Sequence, residues 1–203
     1  MRSEESTVQY YESNRRNIVH VLHKHGLHGY GVEIGVKKGD FSKHLLQYWN
    51  CSKLFMVDPW CSQPMSIYDE THDYNADYED CLKNVSPFPG KYEIVREFSH
   101  NAYQRFADDY FDFVYLDGNH SYEAVKTDLE QWYPKLKRHG LMAGDDYTIN
   151  PVETVFGYTF GVKQAVDEFA VEHRKNVSID LNGDWMYDIN GVLVPSRNWY
   201  FIK

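Results

Sequence analysis

The run FDFVYLDGNHSYEAVKTDLEQWYPKLKRHGLMAGDDY, residues 111 to 147, sets Asp117 at the end of one apolar stretch, His120 three residues later, and Asp145-Asp146 at the end of another. Carboxylates accept hydrogen bonds and attract cations, and a neutral imidazole can take a proton from a hydroxyl. Two further acids occupy comparable places: Glu33 just before Gly35 in EIGVKKG, and Asp58 just before Pro59 in MVDPW.

In EIGVKKG, Gly35 lies where a strand would end and Gly39 where a helix would begin, so backbone can approach a ligand closely there. The spacing lacks the GxGxxG of a dinucleotide turn and the GK[ST] of a phosphate loop. Glu33 would repel a pyrophosphate and suits a cation or an amine. Asp58, 23 residues after Gly35, is spaced to accept hydrogen bonds from a ribose diol, its plainer alternative being a turn former.

Alternating elements must hold these side chains. A first helix is expected around residues 9 to 25. GYGVEIG then reads as a strand, followed by a helix carrying Phe41, Leu45, Leu46 and Trp49. SKLFMVDPW is a second strand, ended by its proline. Residues 61 to 76 show neither period and read as a long lid or acceptor loop, with a helix resuming near Tyr78. KYEIVRE and DFVYLDG are the third and fourth strands. Tyr122, Val125, Leu129, Trp132, Tyr133 and Leu136 form a helical stripe that Pro134 kinks or ends. LMAGDDY is the fifth strand, Val162, Ala165, Val166 and Phe169 mark another helix, and VSIDL and NWYFIK close the chain as an antiparallel pair around a turn-rich segment. The expectation is one α/β domain over residues 1–203: a Rossmann-like, seven-stranded, mostly parallel sheet with a terminal antiparallel hairpin and helices on both faces. Residues 1–28 form its N-terminal helical segment.

Bulk properties narrow the function. With 21 basic and 30 acidic residues, a net charge of −9 disfavours a nucleic-acid partner. Cys51, Cys61 and Cys81 make neither a CxxC nor a zinc spacing, which points to a reducing compartment. No apolar run is long enough for a membrane span and the first residues lack a signal peptide's apolar core, so a cytoplasmic protein is expected, though a domain cut from a longer chain would look the same. The 17 tyrosines suit either core packing or a polar organic ligand. His20, His23, His25 and His28 share too little spacing to make a metal site.

VEIGVKKGDFS, MVDPW and the 111–147 run together resemble the class I S-adenosylmethionine (SAM)-dependent methyltransferases. LDGNHSYE joined to GDDY is similar to the metal-dependent O-methyltransferases that act on macrolide deoxysugars (the macrocin O-methyltransferase type) and, more distantly, to catechol O-methyltransferase. The resemblance spans residues 30 to 203. It implies that Glu33, Gly35 and Gly39 hold the amino-acid part of SAM, Asp58 its ribose and Ser99 its adenine, with Asp117 beside the cofactor. It also implies that Asp117, Asp145 and Asp146 ligate Mg²⁺ or Mn²⁺, and hard carboxylates without paired cysteines agree with that choice. His120 would be the general base, with a helix cap or structural histidine as its alternative. Tyr68, His72 and Tyr74 on one side, and Tyr147 and Phe156 on the other, are expected to form the acceptor pocket.

The reaction so implied is methylation of a sugar hydroxyl, a deoxyhexose such as rhamnose in a glycan or glycoside, by a chain attached to or acting with glycosyltransferases. Three other readings stay open: a catechol-type or phenol O-methyltransferase, a SAM-binding module without turnover, and, on architecture alone, an NAD-dependent oxidoreductase.

Overall fold

The structure, a computed structural model, describes residues 17–62, 72–147, 152–153, 159–180, 184–187 and 193–203. A seven-stranded sheet is built from β1 (Tyr30–Ile34), β2 (Lys53–Val57), β3 (Tyr92–Val95), β4 (Phe111–Leu116), β5 (Leu136–Gly144), β8 (Ser178–Ile179) and β11 (Trp199–Ile202). Its strands run in the order β3-β2-β1-β4-β5-β11-β8. The first five are parallel, and β11 lies antiparallel between β5 and β8. This is the expected Rossmann-like methyltransferase sheet with its antiparallel end.

The helices pack on both faces. On one face, α1 (Ile18–Lys24), α2 (Asp40–Tyr48) and α3 (Tyr74–Val85) bury Leu22, Phe41, Leu45, Cys81 and Val85 against Leu54, Met56, Phe113 and Tyr115. On the other, α4 (Ser99–Ala102), α5 (Tyr122–Trp132) and α6 (Val162–Glu172) bury Ala102, Val125, Leu129, Trp132, Val166 and Phe169 against Val32, Phe55, Val57 and Val114. Neighbouring strand residues thus serve opposite cores, as a period of two requires. Among the described residues no helix is long and apolar enough to cross a membrane.

Three boundaries differ from the sequence reading. The α3 helix starts at Tyr74 rather than near Tyr78, because the Asp73 side chain accepts the Ala76 N–H at 3.0 Å and caps it. The β5 strand starts at Leu136, five residues earlier than LMAGDDY, and its register against β4 shifts where His139 adopts φ 64°. The turn-rich segment before β11 contains the antiparallel ladder of β9 (Asp184–Tyr187) and β10 (Leu193–Ser196). A short pair, β6 (Val152–Glu153) and β7 (Thr159–Phe160), precedes α6. Of the first helix, Ile18–Lys24 falls within the described residues.

Candidate active site

The parallel strands point their carboxyl ends to one edge of the sheet, and that edge carries the acids. At β1, Gly35 has φ 86°, and a Cβ there would stand 2.0 Å from the Asp117 carbonyl oxygen. Only glycine lets the turn after β1 lie this close to the end of β4. Glu33 is 1% exposed and accepts a hydrogen bond from the Ser42 hydroxyl on α2. Gly39, with φ 74°, packs its Cα over Cys81 and caps α2.

Asp58 ties the first two strand ends together. Its Oδ2 accepts the N–H groups of Val36 and Lys37, each at 2.9 Å, and its Oδ1 accepts that of Trp60 at 2.7 Å. Burial raises its pKa, and the three N–H donors offset part of the rise. Trp60 is held at φ 43° and donates its indole N–H to the Lys37 carbonyl at 2.8 Å, closing the knot.

The second cluster centres on His120, which β4 and the start of α5 place between two strand ends. Its Nδ1 lies 3.0 Å from Asp146 Oδ2 and its Nε2 3.4 Å from Asp117 Oδ1. The Nε2 contact is longer and lacks good hydrogen-bonding alignment, so it is the weaker of the two. Burial alone would lower the pKa of this imidazole, but Asp146 and Asp117 more than offset it and hold it at about 10. The two acids thus favour the protonated imidazole, and the general-base role expected of His120 calls for its neutral form. Asp145 is buried and accepts the Asp146 N–H at 2.8 Å, and Asp146, at φ 56°, accepts the Ser196 hydroxyl from β10.

These acids carry the hard oxygens that Mg²⁺ prefers. Their arrangement does not gather them around one point: the imidazole occupies the space between Asp117 and Asp146, and among the described residues no three His, Cys, Asp or Glu side chains are grouped to hold a metal. The donor chemistry fits a divalent ion, and the geometry does not.

A cavity of about 480 Å³ is walled by Glu33, Gly35, Asp40, Asp117, His120, Asp145 and Asp146, with Lys37, Lys38, Phe41 and His44 on its α2 side. A groove of about 550 Å³ continues from Gly35 past Asp58 and Phe98 to Ser99, Thr127 and Asp128. Asp128 faces the groove with Ser99, and burial raises its pKa to about 7, with the Ser99 side chain offsetting a little of the rise. His72 and Tyr74 line a smaller cavity, about 110 Å³, with Gly35, Asp58, Asp77 and Asp117.

Most of the expected residues therefore meet at one edge, and Tyr147 is tied to α6. Its side chain is buried and its hydroxyl donates to Asp167 on α6 at 2.5 Å, and it is not among the residues that wall the acid cavity. Tyr68 and Phe156 lie outside the described residues. Missing from the sequence reading were Lys38, His44, Asp77 and Asp128. Asp128 borders the buried Val125-Leu129-Trp132 stripe, and a carboxyl beside an apolar stripe is a signal that could have been used.

The family model for a methyltransferase domain matches residues 32–147, more than half of the chain. No curated protein sequence matches. Among solved structures, an O-methyltransferase from Bacillus cereus in complex with SAH superposes with TM-score 0.60 at 11% identity, covering 93% of this chain and 80% of that one. The precorrin-6y C5,15-methyltransferase of Geobacter metallireducens gives 0.59 at 14%, covering 93% and 87%. An rRNA methylase from Streptococcus thermophilus gives 0.56 at 12%, covering 90% and 95%. Likeness at this identity, spread over three different acceptors, speaks for the fold and not for the substrate.

Proposed function

The chain belongs to the methyltransferase-domain family, and on that premise we propose that it moves the methyl group of SAM to a hydroxyl oxygen, foremost that of a deoxyhexose such as rhamnose in a glycan or glycoside. The observation that carries this reading is the cavity in which five acids, Glu33, Asp40, Asp117, Asp145 and Asp146, outnumber the bases Lys37, Lys38 and His120, and which meets a long groove at Gly35. A sulfonium and an ammonium are favoured by such a field, and a nucleoside fits the groove.

Glu33 is the acceptor for the ammonium, Asp58 for a ribose hydroxyl, and Ser99 stands at the adenine end. The turn at Gly35 and Gly39 lets backbone approach the amino-acid part. Methyl transfer then needs the acceptor oxygen in line with the methyl carbon and the sulfur, and holding that line is the protein's main contribution. The oxygen forms its bond to carbon as the carbon–sulfur pair passes to sulfur, and the hydroxyl proton passes to His120 in its neutral form.

The divalent ion and the base are a single linked proposal. Asp117, Asp145 and Asp146 would be the residues to hold Mg²⁺ or Mn²⁺, and a bound ion would take over from the imidazolium in offsetting their charge, leaving His120 neutral and able to take the acceptor's proton. The sugar half rests on LDGNHSYE and GDDY.

Thermal unfolding with and without SAM, followed by transfer of labelled methyl to methyl rhamnoside and to catechol, each with Mg²⁺ and with EDTA, tests the reading. A ligand at about 100 times its Kd adds roughly 2.7 kcal/mol. A shift with SAM and Mg²⁺-dependent label in the rhamnoside are expected. No shift sinks the cofactor, label in catechol alone sinks the sugar, and transfer unaffected by EDTA sinks the ion.

A further inference from the structure

We propose that His72, oriented by Asp77, is a second anchor for the ribose of the cofactor, completing a site that Asp58 can only half fill. The inference rests on the SAM reading above.

A carboxylate offers about four lone-pair positions. In Asp58, Val36 and Lys37 occupy both on Oδ2 and Trp60 occupies one on Oδ1, leaving one. A ribose presents two adjacent hydroxyls, so one of them must find another partner or lose its hydrogen bond on leaving water.

His72 lies in the same small cavity as Asp58, Gly35 and Asp117. Its Nε2 stands 2.7 Å from Oδ2 of Asp77, a carboxylate only 6% exposed, which fixes the ring. Tyr74 meets the ring edge-on at 4.8 Å and limits its rotation. With Nε2 engaged, Nδ1 is the atom left for a ligand. A hydroxyl both donates and accepts, so it can meet Nδ1 in either protonation state of the imidazole. The buried carboxylate, which also faces Lys38 at 3.9 Å, orients the ring as a ligand-binding histidine requires.

The test is calorimetric binding of S-adenosylhomocysteine and of its 2′-deoxy and 3′-deoxy forms to the wild type and to His72→Phe, which keeps a ring against Tyr74. We expect the variant to bind the parent ligand about 5- to 10-fold more weakly, the range of one lost hydrogen bond. For the analogue missing the hydroxyl that His72 holds, wild type and variant bind alike, because that interaction is already gone. His72→Asn, which restores a polar atom near Nδ1, recovers part of the loss. Equal binding of the parent ligand by wild type and His72→Phe overturns the inference, as does an equal loss for all three ligands, the mark of a merely structural role. Failure of the wild type to bind S-adenosylhomocysteine overturns the SAM reading instead.

Discussion

Replacing Asp128 by asparagine should stabilise the protein, and the gain should depend on pH. Asp128 sits on α5 with its side chain buried against the groove near Ser99 and a pKa raised from 3.8 to about 7. Burial penalises the ionised form and the Ser99 side chain offsets little of that. A carboxyl whose folded pKa lies above its unfolded value holds its proton more tightly when folded. Its contribution to stability is therefore complete below about pH 3.8, falls as pH rises, and is lost once pH passes the folded value near 7.

A tenfold difference in proton affinity between the folded and unfolded chain is worth about 1.4 kcal/mol, so ionising Asp128 costs the native state roughly 4 kcal/mol at pH 8. Asparagine has nearly the same shape and never ionises. Between pH 5 and pH 8 the stability difference between Asp128→Asn and wild type should widen by roughly 2 to 3 kcal/mol. Every other titrating group cancels in that difference, provided the substitution leaves its surroundings alone. Urea unfolding followed by tryptophan fluorescence at successive pH values across this range measures it. A difference that stays flat from pH 5 to pH 8, whatever its size, would show that Asp128 is ionised in the native state and that burial does not govern it.

Other outcomes follow from the same geometry. Gly35→Ala should destabilise the fold by at least about 2 kcal/mol, since strain at positive φ adds to a clash with the Asp117 carbonyl; an unchanged melting temperature would mean that the β1 and β4 ends do not pack this closely. Tyr147→Phe should cost about 1 kcal/mol through the lost bond to Asp167 and leave the acceptor's KM unchanged, and a raised KM would restore Tyr147 to the acceptor pocket. Asp58→Asn puts an amide where two oxygens receive three N–H groups, so S-adenosylhomocysteine should bind at least about tenfold more weakly by calorimetry; near-normal affinity would detach Asp58 from the cofactor.

The backbone of the site was legible because its signals are local. Strand ends announce themselves by Asp58-Pro59 and by acids closing apolar runs, and Gly35 and Gly39 mark a turn that the positive φ values of 86° and 74° require. Strand periodicity sorted Leu54 and Met56 to one core and Phe55 and Val57 to the other. The order of the last strands was less legible, because pairing β11 with both β5 and β8 depends on contacts between residues far apart in sequence.

What the sequence could not convey is which acid neutralises what. Spacing put His120 beside Asp117 but gave no hint that Asp146 would reach it from the next strand and raise its affinity for a proton. The same blindness hid the pair of His72 and Asp77. A single residue type has one meaning in a list and another in a field: an imidazole among carboxylates stabilises their charge, and the charge in turn decides whether the imidazole can act. On the proposed reading, His120 and an incoming Mg²⁺ compete for the same acids. Removing the competitor is informative, since His120→Ala should raise the affinity of Mg²⁺ for the cluster even as it removes the expected base. Weaker Mg²⁺ binding in that variant, measured by calorimetry, would show that the imidazole helps to build the ion's site instead of filling it.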